Sequence, residues 1–259
     1  MPGFLFDDLV FGPIHSRRLG KSLGINLLPT YSKHCTFNCI YCECGWTKSR
    51  RALKIELPDR AEVITALRTK LLELAGTDQE PDSLTFAGNG EPTMHPDFAA
   101  IVDDVIRLRD EILPNAKVSV LSNGSMVHHF EISEALMKVD NNILKLDGGN
   151  EAVIKLINLP LKAFRLKDYV VHLKRMRANL IIQTLFLRGQ LNGKDVDNTT
   201  TSEVNDWLKL VLEIRPKAVM LYSLDRETPA LGLEKVPEVD LNLIAEKLRD
   251  LGIEANVFA

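Results

Sequence analysis

A chain of 259 residues is long for one small domain and matches a single α/β barrel, which typically runs to about 250. With 45% hydrophobic and 26% charged residues it can pack an ordinary core, and 32 basic against 35 acidic side chains leave a formal charge of −3, so no global basic field advertises nucleic acid. Residues 1–8 lack a cationic start and no run approaches eighteen apolar residues, so a reducing cytoplasm is expected rather than secretion or membrane spanning.

After a short extension over residues 1–20, residues 22–28 form an apolar run of strand length that Pro29 ends. Residues 59–75 then repeat Val63, Ile64, Leu67, Leu71, Leu72 and Leu74 at helical spacing until Gly76. From there strands and helices take turns: strand 83–87, helix 96–113, strand 117–121, helix 131–139 and strand 142–147. A helical region over 151–177, interrupted at Pro160, leads to strand 180–187, helix 202–214, strand 218–224, helix 239–251 and strand 253–258. No repeat, low-complexity tract or linker divides the chain, so residues 1–259 are expected to form one domain. Such alternation argues for parallel βαβ units. About six of them make a partial (β/α)6 barrel of the TIM type, with parallel strands inside and helices outside. Ligands in such folds collect at the carboxyl ends of the strands, and the chemistry-bearing motifs fall there: the cysteine loop, then residues 88–92, 122–124, 147–149, 188–189 and 225–226.

Cys35, Cys39 and Cys42 lie within eight residues, and Cys44 follows. Thiolates this close cannot all pair in unstrained disulfides, so a soft-metal site is the first expectation. A closed zinc site needs a second knuckle, which no other cysteine pair or His-x3-His supplies. Three thiolates on one loop suit an iron–sulfur cubane with its fourth iron left open, and Cys44 is expected to be a free thiol beside it. Strand alternation sets Lys145 and Asp147 on the face opposite Leu144 and Leu146. They form either a buried ion pair or polar contacts to a ligand. The same alternation turns Gln183, Tyr222 and Arg226 inward, which makes Lys145, Tyr222 and Arg226 the candidates for catalytic groups.

The C-x3-C-x2-C spacing, with Tyr41 just before its last cysteine, resembles the signature of the radical S-adenosylmethionine (SAM) superfamily. The resemblance implies a [4Fe-4S] cluster on Cys35, Cys39 and Cys42, SAM chelated at the open iron through its amine and carboxylate, and reductive cleavage to a 5′-deoxyadenosyl radical. Gly88, Asn89, Gly90 and Glu91 resemble the superfamily's GGE motif, whose backbone and glutamate engage the amino end of SAM. By the same resemblance Tyr41, Ser122, Asn123, Asp147 and Gln183 inherit contacts to the cofactor. Residues 12–20, 24–29, 85–93, 145–148, 183–189 and 222–229 are together similar to the Fe–S oxidoreductases grouped with the wyosine-forming tRNA enzymes. Those enzymes carry a second cysteine-bound cluster, and Cys44 alone cannot build one, so four-demethylwyosine synthesis itself is not expected.

Arg17, Arg18 and Lys21 precede the cysteine loop, Lys48, Arg50 and Arg51 follow it, and Lys162, Arg165, Lys167, Lys174, Arg175 and Arg177 form a further group. They are either solvated faces or the recognition surface of an anionic substrate, whether nucleotide, phosphate ester or RNA. Arg17 or Arg18 is also a candidate for the SAM carboxylate, while His128 and His129 are expected to face solvent. The resulting expectation is a radical SAM enzyme served by an electron donor of flavodoxin or ferredoxin type. It modifies or methylates an RNA base or nucleotide-like substrate, or else rearranges or oxidises a small molecule. The competing class is a non-catalytic metal-binding barrel.

Overall fold

A computed structural model describes residues 3–47 and 55–259. Strands β1 (Val10–Ser16) and β2 (Gly20–Ile25) form an antiparallel hairpin, so the stretch expected to be a plain extension is the edge of the sheet. The cysteine loop and helix α1 (Arg60–Leu74) follow, then β3 (Ser83–Phe86), a 3-10 turn over Pro92–Met94, α2 (Phe98–Ile112), β4 (Lys117–Ser122), α3 (Phe130–Lys138) and β5 (Asn141–Lys145). Helices α4 (Glu151–Asn158) and α5 (Leu166–Arg175) lead to β6 (Leu180–Leu185). After it come β7 (Leu187–Leu191), β8 (Lys194–Asp195), α6 (Thr201–Ile214), β9 (Ala218–Tyr222), β10 (Leu233–Lys235), α7 (Glu238–Asp250) and β11 (Ala255–Phe258).

The main sheet runs β1-β2-β3-β4-β5-β6-β9-β11, with every neighbouring pair parallel except the first. It curls into a partial TIM-type barrel with helices around it. Strands covered on both faces are expected to be buried along their whole length, and β3 and β6 are. Period 2 sends Leu23, Ile25, Leu84, Phe86, Val118, Val120 and Leu144 outward into the core beneath the helices. The alternate positions point into the barrel, where Ser22 meets Thr85 at 2.8 Å and Ser83 meets Ser119 at 2.8 Å. Hydroxyls that satisfy one another fill the floor under β2 to β4, leaving the carboxyl ends open.

Helix breaks follow local chemistry. Leu159 closes α4 in the left-handed region at φ 42°, and Pro160 behind it cannot continue a helix. One expectation needs correction. Strand 180–187 stops at Leu185, and Arg188 with Gly189 belongs to β7 in a separate antiparallel sheet, β10-β7-β8. The diversion comes from Asn198, whose carboxamide takes the Leu187 N–H at 2.8 Å and donates to the Leu185 and Asp147 carbonyls. Arg188 therefore faces Asp240, at 2.9 Å, instead of the barrel mouth.

Candidate cluster and cofactor site

The cysteine loop is docked by its backbone. His34 donates to the Asn89 carbonyl at 2.8 Å and accepts from Glu91 N at 3.0 Å, while Asn38 and Ile40 donate to the Asn158 and Ile157 carbonyls. Phe37 and Ile40 pack with Ile157, Leu185, Leu187 and Val196 in a small core of their own. Thus the end of β3 and the end of α4 clamp one loop, and Cys35, Cys39 and Cys42 are held as free thiols.

Cys35 Sγ accepts from Phe37 N at 3.4 Å and from Asn123 Nδ2 at 3.5 Å, and Cys39 Sγ accepts from Asn158 Nδ2 at 3.5 Å. Burial pushes the Cys35 thiol up to about 12 and the Cys39 thiol up to about 11. Cys42 is drawn down to about 5, first by a hydrogen bond from Cys44 and, against the opposing effect of burial, by the Lys33 ammonium. Lys33 is buried with Nζ on the Gly45 carbonyl at 2.8 Å. Burial alone would lower its pKa, but the three neighbouring cysteines hold it above the ordinary lysine value. Two sulfurs are thus too poorly solvated to ionise unaided, and they gain when a cationic iron centre takes them. Among the described residues no three such side chains converge on a single ion position. A cubane offers each cysteine its own iron and needs no common centre, so the donor set fits a [4Fe-4S] cluster.

Beside the loop lies a cavity of about 500 Å³, bounded by the β1–β2 hairpin and the ends of β3, β6 and β9. Tyr41, Cys42, Gly88, Tyr222 and Arg226 line it, as do Arg17, Arg18 and Cys44. Cys44 reaches the Gly88 carbonyl at 3.5 Å, as a free thiol next to the trio. A larger cavity of about 640 Å³ sits on the far side of the loop, but no cysteine lines it, so the smaller chamber is the candidate place for a cofactor.

At the chamber wall Arg18 Nη1 donates to Gln183 Oε1 at 2.9 Å, and its guanidinium lies 4.7 Å from the centre of the Tyr222 ring. On the rim Arg17 pairs with Asp225 at 3.1 Å and Arg226 with Glu43 at 2.8 Å. Arg226 is exposed, so its place is the rim rather than the lumen floor. Lys48, Arg50 and Arg51 lie outside the described residues.

Lys145 and Asp147 do point inward together, with Nζ 3.4 Å from Oδ2. The Tyr41 hydroxyl bonds both, Asn158 Nδ2 donates to Asp147 Oδ2 at 2.7 Å, and Leu185 N donates to Oδ1 at 2.9 Å. The carboxylate is therefore satisfied entirely by protein. Burial would lower the Lys145 pKa, yet Asp147 raises it far above the usual lysine value, so the ammonium stays charged. Burial likewise keeps the Tyr41 phenol protonated.

Glu91 is also enclosed: Oε1 accepts from Ser122 Oγ at 2.7 Å and from both Thr93 N and Oγ1, and Oε2 accepts from Asn123 N at 2.6 Å. Asn89 turns its carboxamide to Phe6 and Pro29, at 2.8 to 2.9 Å, so only its backbone faces the loop. Gly90, at φ 145°, lets the His34 carbonyl pass where a Cβ would lie 1.9 Å away. Of the residues expected at the cofactor, Tyr41, Gly88 and, through Arg18, Gln183 thus adjoin the chamber. Asn89, Gly90, Glu91, Ser122, Asn123 and Asp147 brace the wall behind it.

Lys33, Thr36 and Asn158 were not singled out by sequence reasoning. Lys33 stands two residues before Cys35, a hint that proximity carried; nothing local marks Asn158.

A family model described as the radical SAM superfamily matches residues 30–190. The chain is 32% identical over 222 residues to GTPase Obg of Brachyspira hyodysenteriae, covering 85% of this chain and 30% of that protein. It is 32% identical over 224 residues to a UPF0026 protein of Helicobacter pylori, covering 84% and 67% respectively. Among solved structures it superposes on a radical SAM methyltransferase from Sphaerobacter thermophilus with TM-score 0.66 at 15% identity, over 92% of this chain and 65% of that one. At that identity the likeness is one of fold. The chain spans less than a third of the first of these relatives, so the activity named for that whole protein does not pass to it.

Proposed function

Because the chain belongs to the radical SAM superfamily, we propose that this radical SAM enzyme holds one [4Fe-4S] cluster on Cys35, Cys39 and Cys42 with SAM in the adjoining chamber, and that it modifies or methylates an RNA base or nucleotide-like substrate. The observation that carries the proposal is Cys42 opening into the same cavity as Tyr41, Gly88 and Arg18, with the other two sulfurs buried just behind. Held by Cys35, Cys39 and Cys42 and by the chamber wall, the pair would supply one-electron cleavage of the sulfonium and so the means to take a hydrogen atom from the substrate.

The chain's own part is placement. Arg18, braced by Gln183 and Tyr222, offers a guanidinium to the SAM carboxylate. The backbone at Gly88 lines the chamber with no side chain in the way, while Gly90 lets the cysteine loop pack behind it. Lys145 provides a fixed positive charge, and the packed aromatic and aliphatic wall keeps water from a reactive species. A base flipped out of an RNA loop would fit a chamber of this kind. A second reading, radical rearrangement or oxidation of a small molecule, is favoured by the rim, where Arg17 and Arg226 are already paired with carboxylates.

Anaerobic reconstitution tests the proposal. The loaded protein should show a reducible four-iron cluster and release 5′-deoxyadenosine with dithionite and SAM, and Cys39→Ala should lose both. Retention of either by that variant removes the ligand assignment. For the substrate, tRNA should be retained at low salt and released as salt rises; elution with bulk solution at every salt concentration removes the RNA reading.

A further inference from the structure

The cysteine loop separates two cavities that share no lining residue: Tyr41, Cys42 and Cys44 face the chamber, whereas Thr36 and Phe37 face the cavity of about 640 Å³ on the other side. That outer cavity is open at the surface and carries Lys162, Arg165, His128, His129 and His172 against a single lining carboxylate, Asp168. Nearby, Lys155 and Lys174 are neutralised by Glu151 and Glu213, but among the described residues Lys162, Arg165 and Lys167 form no ion pair. A patch whose two permanent cations outnumber its one lining carboxylate, on a chain of net charge −3, is a local feature that the overall balance hides.

A continuous set of polar contacts runs from this cavity to the cysteine trio. Ser125 Oγ, in the cavity wall, lies 2.6 Å from Thr36 Oγ1; Asn123 Nδ2 donates to Thr36 Oγ1 at 2.9 Å and to Cys35 Sγ at 3.5 Å. The connection reaches a ligand sulfur without entering the chamber.

We propose that the outer cavity is the docking site of an acidic one-electron-carrier protein, and that the Ser125, Thr36 and Asn123 contacts are its path to Cys35. The proposal rests on the cluster assigned above. One electron leaves the carrier, which is oxidised by one unit, and arrives at the cluster held by Cys35; no bond or proton moves at the interface. Charge complementarity identifies the partner: an acidic face meets the ammonium of Lys162 and the guanidinium of Arg165, which steers encounter and sets orientation. An RNA strand would meet the same cations. However, the loop stands between this cavity and the chamber, so an RNA held here gains no access for its base, whereas an electron needs only the sulfur.

The test uses cluster-loaded protein and an acidic [2Fe-2S] ferredoxin, chemically reduced and mixed anaerobically while cluster bleaching is followed by stopped flow. Lys162 and Arg165 are exposed, so Lys162→Glu with Arg165→Glu is expected to fold and bind iron as the parent does. At low salt the variant's second-order rate with ferredoxin should fall at least tenfold, the gap should close as salt rises, and its rate with dithionite should match the parent's. An unchanged ferredoxin rate with full iron content overturns the proposal, and loss of tRNA retention alongside that unchanged rate assigns the patch to RNA instead. If dithionite fails to reduce the parent protein, the cluster assignment itself falls and takes the docking proposal with it.

Discussion

Asn158 donates from one amide nitrogen to Asp147 Oδ2 at 2.7 Å and to Cys39 Sγ at 3.5 Å, so a single side chain at the end of α4 ties the carboxylate just beyond β5 to a proposed cluster ligand. Asn158→Ala removes a donor from a buried acceptor, which costs about 1–3 kcal/mol. It also strips a hydrogen bond from the sulfur, which should make the cluster harder to reduce. Denaturant unfolding of the apoprotein and a redox titration of the loaded protein measure the two effects separately. Unchanged unfolding would show that the amide is not holding Asp147.

Lys145 is the only counter-charge within salt-bridge reach of Asp147 among the described residues. Lys145→Met therefore leaves a carboxylate buried without a cation, and the expected loss is about 3–5 kcal/mol. Replacing both, as Lys145→Met with Asp147→Asn, should recover much of that loss. A double-mutant cycle from denaturation curves checks it, and additive losses would contradict it.

Lys33 lies against the cysteine trio with its ammonium already bound to the Gly45 carbonyl. Lys33→Gln removes a positive charge beside the cluster, so the reduced, more negative form loses support. A tenfold change in the one-electron equilibrium, equal to about 59 mV toward more negative potential, is expected. An EPR-monitored potentiometric titration reads it, with Lys33→Arg restoring most of the shift.

Gly90 pairs with His34 in a left-handed backbone conformation at φ 145°. Gly90→Ala places a methyl group 1.9 Å from the His34 carbonyl oxygen, so the loop must leave its dock. The expected cost is on the order of 3 kcal/mol, together with reduced iron content after reconstitution. Thermal unfolding and iron analysis test this, whereas Gly76→Ala, with nothing within 4 Å of its added carbon, should retain its iron.

Asp104 on α2 reaches Arg60 of α1 at 2.6 Å and Arg107 of its own helix at 2.6 Å, and the hydrogen bond from Arg60 holds its carboxyl below the usual range. Its folded pKa is depressed, so its contribution is complete above the unfolded value of about 3.9 and fades as pH falls through the folded value. Stability of the parent relative to Asp104→Asn should be greatest near neutral pH and shrink below about pH 4. Urea unfolding at several pH values measures the gap; a constant gap would show that the pairing is not the source.

Much of the scaffold was legible because it follows from neighbouring residues. Alternation along residues 143–147 correctly put Lys145 and Asp147 on one face and the leucines on the other, and Gly76 and Pro160 marked helix ends that the structure shows. The strand at residues 10–16 escaped notice because Gly12 and Pro13 break its pattern, and an edge strand buries too little to need alternation. Arg188 was misplaced because nothing in its own neighbourhood reports that Asn198, ten residues on, draws the chain into a second sheet.

By itself the sequence determined the alternation of helices with the parallel strands after residue 59 and the spacing of Cys35, Cys39 and Cys42, since both depend on residues close along the chain. Only the tertiary structure decided what surrounds those sulfurs. Asn123 reaches Cys35 across 88 positions and Asn158 reaches Cys39 across 119, and Glu91 and Asp147 turn out to be consumed by protein donors. Periodicity carries no information about which distant amide meets which sulfur. That is settled when the sheet curls and brings the ends of its strands to one rim.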